Sequence, residues 1–88
     1  MPTVAWVFGM DIVFYYEDHE PPHFHVRAAD FWARILIRDG SLIDSNGRVM
    51  AKDVRALRVW CLRHQPALLE NWKRARRAQP LKRVEGEP

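Results

Sequence analysis

Near Met50 the hydrophobic period of the chain changes from two residues to about 3.6, and this switch restricts the available folds more than any other feature. Before it, short runs rich in Val, Ile, Phe, Tyr and Trp alternate with turn residues. After it, apolar positions recur at helical spacing. Strands gathered in one half and helices in the other exclude alternating βαβ units. They predict an α+β domain, a small antiparallel β-meander of four to five strands followed by two C-terminal helices packed on one face. Eighty-eight residues suffice for one such domain, with a β half over 1–47, a helical half over 48–78 and a flexible tail over 79–88.

The strands follow from local chemistry. Thr3 to Phe8 and Asp11 to Tyr16 read as a hairpin around Gly9-Met10. The first strand is apolar on both faces, Val4, Trp6 and Phe8 opposing Ala5 and Val7, which predicts helices on one side and a second copy of the chain on the other. His23 to Ala28 places Phe24 and Val26 on a core face, with His23, His25 and Arg27 on a cationic one. Phe31 to Arg38 sets Phe31, Ala33, Ile35 and Ile37 against Trp32, Arg34, Leu36 and Arg38. Asp39-Gly40 is a hairpin turn with a short return over Ser41 to Ile43, and Asp44-Ser45-Asn46-Gly47 is turn chemistry that closes the β half.

In the helical half, Met50, Val54, Leu57 and Cys61 form one stripe. Val59 and Leu62 lie off it, so this helix is expected to sit between the sheet and the second helix. His64-Gln65-Pro66 breaks the pattern and starts a helix to about Arg77, with Leu68, Trp72 and Ala75 on one face and Lys73, Arg74 and Arg77 on the other. Cys61 reads as a buried small hydrophobe, Trp60 and Trp72 as core anchors, and His64 as a favourable charge at a helix C-terminus.

Composition narrows the function. A single cysteine excludes a disulfide framework and a zinc ribbon. The opening residues lack a secretory signal, and no apolar run is long enough to span a membrane, which together predict a cytoplasmic protein. Residues 1–50 hold 4 Lys/Arg against 7 Asp/Glu, a balance of −3, whereas residues 51–88 hold 10 against 4, a balance of +6. The basic half suits an acidic partner or nucleic acid, and equally a solvated helix face.

The chemistry is concentrated in Glu17-Asp18-His19-Glu20-Pro21-Pro22-His23-Phe24-His25-Val26-Arg27, which carries three of the four histidines. His23 and His25 project from one face of a strand, spaced to bind one divalent transition metal, with a third ligand drawn from Asp18, His19 or Glu20. The same pair can instead serve as general acid and base, with Arg27 stabilising phosphate charge and Asp18 orienting His19 or another imidazole. That combination is what metal-free cleavage of RNA at a 2′-hydroxyl requires. A plain structural account also stands, in which the acids cap a turn and the histidines form a solvated strand face.

Met1-Pro2-Thr3, Asp18-His19-Glu20-Pro21-Pro22-His23-Phe24-His25-Val26-Arg27, and a helical half with Leu68-Leu69 and Trp72 resemble the DUF4160 family of small bacterial proteins. The family motif falls on His19, Glu20, Pro21, Pro22, His23, His25 and Arg27. The resemblance implies a small cognate protein partner and a place in a toxin-antitoxin pair, without an established reaction. Two functions are therefore expected to compete: a ribonuclease-like toxin acting through His23, His25, Arg27, His19 and Asp18, or a noncatalytic antitoxin or adaptor using the same motif to bind a partner or a metal.

Overall fold

A computed structural model describes residues 3–88; Met1 and Pro2, part of the stretch that carries the family resemblance, lie outside the described residues. Five strands, β1 (Thr3–Val7), β2 (Met10–Val13), β3 (His23–Arg27), β4 (Phe31–Leu36) and β5 (Leu42–Gly47), form one antiparallel meander in sequence order. Two helices follow, α1 (Ala51–Arg63) and α2 (Gln65–Arg76). The α+β architecture with two C-terminal helices is the one the change of period demands.

Period-two alternation builds the core. Ala5, Ile12, Val26 and Ala33 are successive cross-strand partners, all buried, and Phe24 faces Ile35 beside them. Leu57, Trp60 and Cys61 of α1 and Leu68, Trp72 and Ala75 of α2 complete the same cluster. Met50 is exposed and Val54 only half-buried, so the stripe is not Met50-Val54-Leu57-Cys61 but runs from Leu57 through Trp60 and Cys61. Val59 and Leu62 are also exposed, at 51% and 46%, contrary to a sandwiched helix. His64 alone separates the helices, and α2 turns its apolar face to the core instead of covering α1.

Local chemistry sets the joints. The first turn falls at Phe8-Gly9, both at positive φ, with Val7 opposite Met10. This two-residue geometry matches the twist of paired strands. The Asp39-Gly40 turn is present, with Gly40 at φ +72° and the Asp39 carboxylate accepting from the Ser41 amide and hydroxyl. Gln65 ties the helix joint to the sheet by donating to the carbonyls of Ile37 and Arg38. Pro66 follows in the first turn of α2, where its missing N-H leaves no bond unmade.

Two expectations are corrected. Asp44 to Gly47 is not a turn; it continues β5, because Asp44 lies opposite Arg34 and takes two hydrogen bonds from its guanidinium, at 2.8 and 2.6 Å. That partner is remote in sequence and outweighs the turn preference of Ser45-Asn46-Gly47. The segment over 79–88, read as a frayed tail, is bonded first to α2 through Gln79 to Lys82 and then to β1 through Val84 and Glu87. The Val84 amide donates to the Val4 carbonyl, Glu87 exchanges bonds with Trp6 and Phe8, and Val84 is buried. Asn71 clasps Lys82 through both ends of its amide, and the Trp60 indole donates to the Glu85 carbonyl.

Cys61 is buried as expected. Its thiol points at the carbonyls of Leu36 and Ile37, and burial pushes it from an ordinary 9.0 up to about 11. Folding favours the neutral thiol, so the associated stability is complete below pH 9 and declines as pH rises toward 11. A fall of about 2–3 kcal/mol is expected across that window from this group, since each tenfold change in proton affinity is worth roughly 1.4 kcal/mol. Urea midpoints of wild type and Cys61→Ala over the same range test it: the alkaline decline should be shallower in the variant. Alkylating reagents should label the native thiol far more slowly than the unfolded one.

Candidate functional site

Cross-strand pairing determines what shares the sheet face opposite the core. Trp6, Asp11, Arg27, Trp32 and Asn46 form one row across the meander, and Val13, His25, Arg34 and Asp44 form the next. Trp6 and Trp32 are 47% and 43% exposed. Beyond them His25, Arg27, Arg34 and Trp32 share a pocket of about 490 Å³ with Tyr15. The Tyr15 ring meets the His25 ring edge-on, with centroids 4.4 Å apart. The Arg83 guanidinium lies over Trp6 at 4.5 Å.

Arg27 is 3.6 Å from Asp11, and Arg34 is bound to Asp44, so both cations of the pocket are held in place by carboxylates. The Arg34 guanidinium beside Asp44 keeps that carboxyl below the usual carboxylate range, and the reciprocal bond raises Arg34.

The histidines meet at the start of β3. Asp18, in the loop from β2, brings Oδ2 to 2.8 Å from His25 Nε2 and 3.1 Å from His23 Nε2. The backbone amide of His19 donates to Oδ1 of the same carboxylate at 2.9 Å, fixing its plane. Burial alone would raise Asp18, but the hydrogen bonds from His25 and the His19 amide, with the adjacent imidazoles, outweigh it and hold the group low. His25 is shifted down, because desolvation outweighs the support of Asp18.

His23 and His25 differ sharply in access. His23 is 2% exposed, its ring lying 5.1 Å from those of both Trp72 and His25. His25 lines the open pocket. Of the sequence-derived candidates, Asp18, His23 and His25 converge, and Arg27 stands on the same face one row away. The His19 side chain is exposed and outside the cluster, contributing only its amide, and Glu20 reaches away to Arg76. His64 caps the end of α1 with its ring against Trp60. Tyr15, Trp32 and Arg34 were not singled out from sequence. The signal for two of them was present: Trp32 and Arg34 alternate against Phe31, Ala33 and Ile35, which puts them in phase with the histidines once β3 and β4 pair.

The fold and site define a small meander-and-helices domain carrying two histidines and an aspartate on the sheet face opposite its core. The chain belongs to the family described as domain of unknown function DUF4160, whose model matches residues 9–73. No curated protein and no solved structure matches it. No helix among the described residues is long and apolar enough to cross a membrane.

Proposed function

We propose that the uncovered sheet face binds single-stranded RNA and that His25 acts on its backbone, as a toxin-like ribonuclease in a pair with a small cognate protein. The supporting observation is the placement of exposed Trp6 and Trp32 on either side of Arg27 in one cross-strand row, directly beside the row of His25 and Arg34. Aromatic faces stack bases of any sequence, and interleaved arginines meet the phosphates.

In the neutral ring the bond from His25 Nε2-H to Asp18 leaves the lone pair on Nδ1, the arrangement of a general base oriented by a carboxylate. His25 would take the proton of a 2′-hydroxyl as that oxygen bonds to phosphorus and return it to the 5′-oxygen as its bond to phosphorus breaks, while Arg27 and Arg34 balance charge on the phosphate. His23, shut beneath Trp72, is closed off from RNA and takes no direct part in this step.

A second reading is favoured by the ion pairs. Asp11 and Asp44 already engage Arg27 and Arg34, and exposed Trp6 and Phe8 suit a protein surface, so the same face would serve a noncatalytic binding module, with a cognate protein or a second copy as its partner.

One experiment separates the two. Purified wild type, His25→Ala and Trp32→Ala are incubated with single-stranded RNA, with and without chelator, and scored for binding and cleavage. The enzyme reading expects His25→Ala to reduce cleavage about 10²–10⁴-fold with binding retained. Trp32→Ala should weaken binding by roughly 1–3 kcal/mol. Binding without cleavage favours the module, and absence of both refutes an RNA-directed role.

A further inference from the structure

The His23 side chain poses a problem of hydrogen-bond accounting. Nδ1 lies 2.7 Å from the Pro21 carbonyl, which can only accept, so Nδ1 carries a proton. In the neutral ring Nε2 then presents a lone pair. That atom is buried and makes no hydrogen bond among the described residues, although Asp18 Oδ2 stands only 3.1 Å away. A buried lone pair facing a carboxylate oxygen is unfavourable unless something positive lies between them.

We propose that the positive species is a divalent transition metal of zinc type, bound by Nε2 of His23, Nε2 of His25 and Oδ2 of Asp18. One ligand atom from each of these residues lies within 4.8 Å of the others. Ligand atoms around a tetrahedral ion at about 2.0–2.2 Å stand roughly 3.3–3.5 Å apart. Starting from 2.8 and 3.1 Å, the two aspartate-histidine separations need to open by roughly 0.2–0.7 Å, and the two histidine nitrogens, within 4.8 Å of each other, must settle to the same spacing.

Two of the ligands are already oriented from behind. The Pro21 carbonyl selects the His23 tautomer that exposes Nε2, and the His19 amide fixes the Asp18 carboxylate, the outer contacts typical of histidine-carboxylate metal centres. His25 gives up its bond to Asp18 by moving its proton to Nδ1. Three protein ligands leave a further coordination position, and His25 places the ion beside the pocket of Tyr15, Arg27 and Trp32. Two neutral nitrogens and one carboxylate suit zinc and similar borderline ions over calcium or magnesium, which take oxygen. Metal binding here does not depend on the RNA reading and replaces the general-base role of His25, whose Nδ1 then carries the proton; its test uses no RNA.

The chelator-stripped full chain is titrated with Zn²⁺ by calorimetry and with Co²⁺ by visible absorbance at neutral pH, and imidazole nitrogens are followed by NMR. Expected are one equivalent of Zn²⁺, a Co²⁺ ligand-field band, and shifts at Nε2 of His23 and His25 with His19 and His64 unmoved. Because His23 is buried and its replacement can unfold the chain, the half-buried ligands carry the mutational arm. Asp18→Ala and His25→Ala, shown to be folded by circular dichroism, should each weaken binding beyond the roughly 10–100-fold that accompanies loss of an outer contact. Wild type that takes up no metal overturns the proposal, as does uptake unaffected by either substitution. So does a His23 ring that keeps protons on both nitrogens at neutral pH in the presence of Zn²⁺, since the positive species is then a proton paired with Asp18.

Discussion

Trp60→Ala lowers the free energy of unfolding by about 3–5 kcal/mol. The ring is 1% exposed, stands nearly perpendicular to Phe24 at 5.9 Å, stacks obliquely on His64 and donates its indole N-H to the Glu85 carbonyl at 2.9 Å. Truncation therefore opens a large cavity and also detaches the C-terminal segment from α1. A domain of this length has roughly 4–13 kcal/mol to lose, so the change approaches the limit of folding. Trp60→Phe keeps most of the packing and removes the bond to Glu85, for about 1–2 kcal/mol. Urea unfolding of the three proteins reads both numbers as shifts in midpoint at constant slope. A Trp60→Ala midpoint indistinguishable from wild type would mean that the core is not centred on this residue.

Gly86→Ala unseats residues 84–87 from β1. A methyl group at this position would fall on the Trp6 carbonyl, which belongs to the backbone of a strand and cannot move aside as a side chain would. The segment must lift, losing the bonds of Val84 to Val4, Glu87 to Trp6, Phe8 to Glu87 and Trp60 to Glu85. Four bonds at about 0.5–1.5 kcal/mol each put the loss at roughly 2–6 kcal/mol. Native-state hydrogen exchange gives a sharper test than overall stability. Amides of Phe8, Val84 and Glu87 should lose protection in the variant, whereas the Lys82 amide, held by the buried Asn71 carbonyl oxygen, should keep it. Unchanged protection at Phe8 and Glu87 would show that the strand accommodates the methyl group after all.

The parts of this fold legible in the sequence are those governed by local chemistry. The change of period at Met50, the Asp39-Gly40 turn and the proline after His64 each act within a few residues, and the strands and helices they delimit are present. What sequence reading missed depends on remote partners. Ser45-Asn46-Gly47 carries turn-forming residues but is drawn into β5 by pairing with β4, anchored at Arg34. Residues 79–88, with Pro80, Gly86 and Pro88, have neither helical nor strand character, and Asn71 and Trp60 hold them in place from the helices.

The candidate site follows the same division. Alternation along β3 put His23 and His25 on one face, and the acidic loop offered Asp18, His19 and Glu20 without a way to choose among them. Folding selects Asp18, because the loop turns its carboxylate toward β3, while Glu20 reaches Arg76. The unequal access of the two histidines was not legible, since it depends on Trp72 of α2. Trp32 and Arg34 became part of the site only through the register of β4 against β3.

The docking of residues 84–87 matters beyond stability. As the first strand of the meander, β1 has one side that no other named strand covers, flanked by the exposed rings of Trp6 and Phe8. A flat apolar border with unpaired amides and carbonyls is a template onto which further sheets polymerise. Here the carbonyls of Val4 and Trp6 and the amide of Phe8 are already engaged by Val84 and Glu87, in a parallel bridge at Val7. At the opposite border β5 carries Asp44, Ser45 and Asn46, polar residues poorly suited to such growth. The C-terminal residues thus act as a sacrificial neighbour, occupying the place at which one molecule would otherwise seed a fibre of many.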